Sequence, residues 1–159
     1  MFKGVKETCK DAMNIEDFLE SIEITIPDLK WLGKYGYVEA LSTLLIKNLK
    51  EIDINKRPMH CSDVKRETIY IKEKDNWEKD NDEKVRLNKA LNEVLRMNTY
   101  ALQNLYQETY PHCLSNHKSK EHHEYGEIAY QAFGGKGNTE NLNKNIIRKI
   151  AKEIKIDKS

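Results

Sequence analysis

Histidine and cysteine stand side by side twice in this chain, at His60-Cys61 and His112-Cys113, and His117, His122 and His123 follow the second pair. Residues of these types bind zinc or supply a nucleophile with its base. A tetrahedral zinc site takes four ligands, usually from two paired turns with a few residues between partners. Neighbours in a strand point to opposite faces, so His60 and Cys61 are badly placed to share one ion. The run "HCLSNHKSKEHH" can wrap a metal as a loop, yet no second cysteine pair anchors it. A Cys–His nucleophile needs an accessible thiolate with a base in hydrogen-bond reach. Alternation turns Cys61 inward beside Met59, where a thiol behaves as a small hydrophobe, and turns His60 outward. No Walker loop, G-x-G-x-x-G, H-E-x-x-H or G-x-S-x-G occurs. The glycine-rich "GGKGN" at 134–138 lacks both a preceding strand and the Lys-Ser/Thr of a phosphate loop. We therefore expect no enzyme, and no catalytic, cofactor-binding or metal-ligating residue.

Cations offer a third chemistry, contact with phosphate. Lys65, Arg66, Lys72 and Lys74 sit in a strand-like stretch with Arg57 at its root, and Lys144, Arg148, Lys149, Lys152 and Lys155 line the last helical stretch. Glu67, Glu73, Asp75 and Glu78 lie in the first ribbon and cancel its charge. A groove-binding wing keeps one sign of charge, because phosphate neutralisation supplies most of the affinity. Net charge is +1 overall, but residues 141–159 hold 6 Lys/Arg against 2 Asp/Glu, while residues 1–53 hold 7 against 10. The basic tail makes Lys144, Arg148, Lys149, Lys152 and Lys155 candidate phosphate contacts; a solvated helix face has the same composition.

The elements that must position these residues are mostly helices. Asn14 suits an N-cap for "IEDFLES", and Glu16 and Asp17 suit the positive end of that helix. Thr25 caps a second helix with Pro27 in its first turn, and Gly33 and Gly36 break it. A third helix over 37–50 stacks Val38, Leu41, Leu45 and Leu49 on one stripe. After Pro58 the period changes from 3.6 to 2. "PMHCS" and "ETIYIKE" read as strands joined near 63–66, and Asp75-Asn76 turns the chain into a third, "WEK". Met59, Cys61, Ile69, Ile71 and Trp77 are expected on one buried face. A long helix over about 82–106 follows, capped by Asp80 or Asp82, with Val85, Ala90 or Leu91, Val94, Leu95, Met97, Leu102 and Leu105 inward. Residues 112–120 read as loop. A fifth helix over 121–133 stops at Gly134-Gly135, and a sixth over 139–154 turns Leu142, Ile146, Ile147, Ile150 and Ile154 inward. The fold class is α+β, predominantly helical, with a three-stranded antiparallel meander between helices; a winged-helix-like arrangement is one form of that class. Residues 1–13 read as a lead-in and 14–159 as a single domain.

Composition agrees with that outline. The 159 residues suffice for one domain, and 38% hydrophobic against 33% charged residues, with mean hydropathy −0.80, make it a polar one. Apolar runs are interrupted within a few residues, so a membrane span is not expected. Three scattered cysteines without a C-x-x-C pair fit a reducing, intracellular setting.

Three segments carry a resemblance: "CKDAMNIEDFLESIEITIPDL", the stretch from "GYVEALSTLLIKNLKEIDINK" through "RPMHCSDVKRETIYIKEKDNWEKD", and "AFGGKGNTENLNKNIIRKIAKEIKID". Together they are similar to a domain of uncharacterised proteins of giant DNA viruses, mimivirus-like ones above all. Its most specific pattern, R-P-[IM]-H-C-[ST]-D-x-K-R, is matched by Arg57, Pro58, Met59, His60, Cys61, Ser62, Asp63, Lys65 and Arg66, and an aromatic–lysine–acid run continues through Tyr70 and Trp77. In that family the domain tends to follow a two-cysteine, two-histidine zinc finger and a coiled coil. The resemblance thus implies a regulatory or nucleic-acid-related protein, located in the host cytoplasm or the virion. This sequence begins eight residues before the matching region, which suggests a stand-alone copy or an excised domain, and no DNA-reading residue carries over. Arg57 and Asp63 would suit an ion pair closing the first strand, and Lys65-Arg66 a turn surface.

Two functional expectations follow. One is a non-catalytic interaction module that binds protein, or itself to form a homo-oligomer, through apolar surface on the third or fifth helix. The alternative is a nucleic-acid-binding domain using the cations of the hairpin and the last helix.

Overall fold

Pro58 ends the helical stretch, and the β-branched run behind it pairs into a sheet. In the computed structural model, which describes residues 3–156, β1 (Met59–Asp63), β2 (Thr68–Glu73) and β3 (Asn76–Lys79) are antiparallel in the order β1-β2-β3. Lys74 and Asp75 make the β2–β3 turn, both with positive φ (46° and 68°), the local twist that tight hairpins favour. Met59 pairs with Ile71, His60 with Tyr70 and Cys61 with Ile69, and across the other side Lys72 pairs with Trp77.

Seven helices among the described residues surround this sheet: α1 (Lys3–Thr8), α2 (Ile15–Ser21), α3 (Ile26–Tyr35), α4 (Tyr37–Lys50), α5 (Val85–Ala101), α6 (Lys120–Ala132) and α7 (Thr139–Glu153). The protein is α+β and predominantly helical, as its sequence periodicity implies. Thr25 starts α3 with a reciprocal box: its hydroxyl accepts from the Asp28 amide, and the Asp28 carboxylate accepts from the Thr25 amide at 2.9 Å. Gly36 (φ 92°) separates α3 from α4, and Gly134 and Gly135, also left-handed, stop α6.

The start of α5 departs from expectation. Lys84 is left-handed (φ 56°), so the helix begins at Val85, and Val85 is 53% exposed instead of joining the inward stripe. Its cap acts from the end of β3: the Asp80 carboxylate accepts from the amides of Arg86 (3.0 Å) and Leu87 (2.9 Å). Beyond α5 the chain continues through a π-helical turn, Leu102–Tyr106, and the helical stretch ends at Thr109.

One face of the sheet carries Met59, Cys61, Ile69 and Ile71 into the main core, which also holds Phe18, Leu41, Leu45, Leu91, Ile146 and Ile150. Full burial of such a side chain stabilises by ~1.5–3 kcal/mol, so α7 is docked by Ile146, Ile147, Ile150 and Ile154. The chain just after α7 extends the sheet, since the Cys61 amide donates to the Ile154 carbonyl and the Ile156 amide to the Cys61 carbonyl, both at 2.9 Å. A buried polar chain ties three helices together: Tyr37 donates to Asn143 (2.8 Å), and Asn143 to Asn88 (3.1 Å).

Two helical glycines make opposite predictions. A Cβ on Gly33 would stand 2.8 Å from Ile128 Cγ1, where α3 meets α6, while a Cβ on Gly126 of α6 meets nothing within 4 Å. Gly126→Ala should gain helix propensity and stabilise by up to ~1 kcal/mol. Gly33→Ala gains the same propensity but overpacks a closed contact, and should lower stability by about 1–2 kcal/mol. Denaturant midpoints of the two variants check this, with a rise for one and a fall for the other.

Candidate functional site

The chemistry-bearing residues of β1, β2 and β3 converge on the second face of the sheet, which is not open to solvent. Val5, Cys9 and Ala12, at helical spacing, bury themselves against Trp77, with Tyr70 and Ile156 packed alongside. The Lys72 ammonium, itself buried, donates to the carbonyls of Lys10 (2.8 Å) and Ala12 (2.7 Å), and Trp77 Nε1 donates to the Cys9 carbonyl (3.0 Å). His60 is fully buried between them, its ring 5.6 Å from that of Trp77 and its Nε2 3.4 Å from Cys9 Sγ.

Two expectations are corrected here. His60 points into the protein instead of outward, and Trp77 lies on the opposite face from Met59, Cys61, Ile69 and Ile71. The physical reason is common to both. Period-2 alternation separates the faces of a strand but cannot tell a solvated face from one covered by a segment some fifty residues earlier. The residues read as a lead-in include that cover.

The remaining motif residues go elsewhere. Arg57 Nε donates to the Ile52 carbonyl at 3.0 Å. Asp63 accepts from the Arg66 amide at 3.1 Å and lies 3.8 Å from its guanidinium, while Lys65 and Arg66 are exposed on the β1–β2 turn. The C-terminal cations Lys144, Arg148, Lys149, Lys152 and Lys155 are exposed, but Lys149 pairs with Glu39 (2.8 Å) and Arg148 with Glu67 (4.0 Å). In the histidine run, His112 reaches Glu121 at 2.7 Å and His122 the Cys113 carbonyl at 2.7 Å. No group of three His, Cys, Asp or Glu among the described residues is placed to hold a metal ion.

The Cys9–His60 pair has the geometry of a nucleophile and base but the opposite electrostatics. Burial, with the Arg57 charge adding to it, lowers the His60 imidazole to about 4 from an ordinary 6.5, and burial pushes the Cys9 thiol up. Both groups are held neutral, whereas an activated thiolate needs the reverse shifts. His60 Nδ1 has no hydrogen-bond partner.

A second feature is open. Between α2 and α5 runs a groove floored by Ile15, Leu19, Ala90 and Met97 and rimmed by Glu16, Glu20, Arg86, Lys89 and Glu93, with a volume of about 410 Å³. Past Arg96 and Met97 it continues into a depression of about 500 Å³ lined by Ile22, Ile24, Tyr100, Ala101 and Leu105. Tyr100 stands at its lip, 63% exposed. Sequence periodicity places these residues on helices but says nothing of the spacing between helices, so the groove has no signal in the sequence.

Protein-family models give no match to this chain, and neither curated proteins nor solved structures give one. Among the described residues, no helix is long and apolar enough to cross a membrane.

The buried imidazole generates a pH dependence. Near neutral pH His60 is uncharged in both states. As pH falls through 6.5 the unfolded chain takes up a proton that the folded protein refuses until about 4, so this stability is lost in that window. The loss reaches about 2–3 kcal/mol near pH 4.5. Urea unfolding of the protein and of His60→Gln at neutral pH and about pH 4.5 should show the variant losing less stability by roughly that amount.

Proposed function

We propose that this chain is a non-catalytic interaction module that binds another protein, and that it belongs with the giant-virus domain it resembles, acting in the host cytoplasm or the virion. The observation that carries the reading is the α2–α5 groove, a cleft between two helices edged by charge. The floor itself is nearly covered at Ile15, Leu19 and Ala90, and the apolar surface it offers comes from Met97, Leu105 and the exposed Tyr100; a cleft of that kind with a polar rim suits a protein-binding site. The surface lies apart from the third- and fifth-helix faces expected from sequence: the third predicted helix, α4, is largely covered in the core, while the fifth, α6, keeps Tyr130 and, at its end, Phe133 exposed.

The nucleic-acid alternative has less support. The β2–β3 turn is held by Asn14, which accepts from the Asp75 amide at 2.7 Å and donates to its carboxylate at 3.0 Å. Two of the five C-terminal cations already have carboxylate partners. Fluorescence titration of the whole protein with duplex DNA between about 50 and 200 mM salt separates the readings. The interaction module should give no saturable complex in the micromolar range at either end. A micromolar complex that weakens steeply with salt, and is lost on changing Lys144, Lys152 and Lys155 to glutamate, would put the function on α7 instead.

A further inference from the structure

Resting on the reading of the α2–α5 groove as a docking surface, we infer that its occupant is an amphipathic helix of a partner protein, with Lys or Arg flanking the apolar stripe on the side that meets α2. Lining residues extend along α5 and into the π-helical turn behind it, from Arg86 to Leu105, a length of roughly 30 Å at 1.5 Å per residue, or about five helical turns. Within it Ala90, Met97 and Ala101 recur on one side of α5, with Leu105 in the π-helical turn beyond, and Ile15 and Leu19 of α2 and Ile22 at its end face them; of these Met97 and Leu105 remain partly accessible, beside the exposed Tyr100. The two alanines allow close backbone approach, and Met97 adapts to whatever knob it meets. A depression along two helices, with Met97, Tyr100 and Leu105 accessible in it, suits a third helix laid along that line.

Charge chooses the kind of helix. Arg86 is neutralised by Glu73 and Arg96 by Glu93, each at 2.5 Å. Those pairs leave Glu16, Glu20 and Glu23 along the α2 rim, none with an ion-pair partner among the described residues, against Lys89 on the other. The unpaired rim is therefore acidic and one-sided. It repels phosphate, which excludes nucleic acid and anionic lipid as occupants of this groove. It equally disfavours a second copy of the chain. The basic helix this protein owns, α7, has its apolar side sealed in the core at Ile146, Ile147, Ile150 and Ala151, so a folded copy has no such stripe to offer.

Two designed helical peptides test this on the whole protein by calorimetric titration. They share one leucine stripe; lysines flank it in the first and glutamates in the second. The lysine peptide should bind saturably and the glutamate peptide at least about tenfold more weakly. The combined change Glu16→Lys, Glu20→Lys and Glu23→Lys should reverse that preference. Met97→Asp in the floor, and Tyr100→Asp at the exposed lip in case the first perturbs folding, should weaken the lysine peptide without the rim being touched. Equal binding of both peptides, still sensitive to Met97→Asp or Tyr100→Asp, overturns the charge inference and leaves the docking surface standing. Binding indifferent to both floor and lip, or no binding of either peptide, overturns the docking surface and the inference with it.

Discussion

A lysine ammonium held under the chain's own backbone organises this protein. Lys72 is buried, and burying a charge costs several kcal/mol unless it is well solvated by other groups. Its two acceptors are the Lys10 and Ala12 carbonyls, just past the C-terminal end of α1, where the helix dipole favours a cation. Segment 9–12 cannot leave the sheet without stripping Lys72 of both acceptors and Trp77 Nε1 of its bond to Cys9. The anchoring continues beyond that segment. The Met13 amide donates to the Lys56 carbonyl at 3.0 Å, and Asn14 clasps Asp75 at the hairpin tip. α2 begins at the next residue, so its position is set by the sheet as much as by its own contacts.

That anchoring links the two faces of the account. The sheet's second face, with the residues that look most like chemistry, is spent on the segment ahead of α2. Holding α2 there leaves a seam beside α5 that neither helix fills. The same clasp on Asp75 ties down the hairpin that a winged-helix reading would lay along a phosphate backbone. In physical terms the His60, Lys72 and Trp77 cluster is an intramolecular seat, and the open surface lies at its far end.

Much of the fold was legible locally. The Thr25 cap, Gly36 and the Gly134-Gly135 stop each act within a few residues, so α4 and α6 stand within a residue or so of where capping and glycine chemistry put them; Gly33, expected to break α3, is instead packed inside it against Ile128 and the helix runs on to Tyr35. Cys61 was legible as core because its neighbours alternate cleanly. Three things were not. His60 and Trp77 escape a local pattern because their cover arrives from Val5–Ala12, far away in sequence. Asn14 was read as a helix cap, yet its side chain is taken by Asp75 and makes no cap bond. The groove was invisible because Ala90 and Met97 read as part of the long helix's ordinary inward stripe, and only tertiary spacing shows a depression left beside α2.

Native-state amide hydrogen exchange on Lys72→Met tests most directly whether the sheet's seat holds α2 in place. Amides of α1 and α2 should lose protection together, by about tenfold or more, while those of α4 and α7 keep theirs. Loss confined to α1 with α2 unchanged, or an even loosening of the whole molecule, would contradict it.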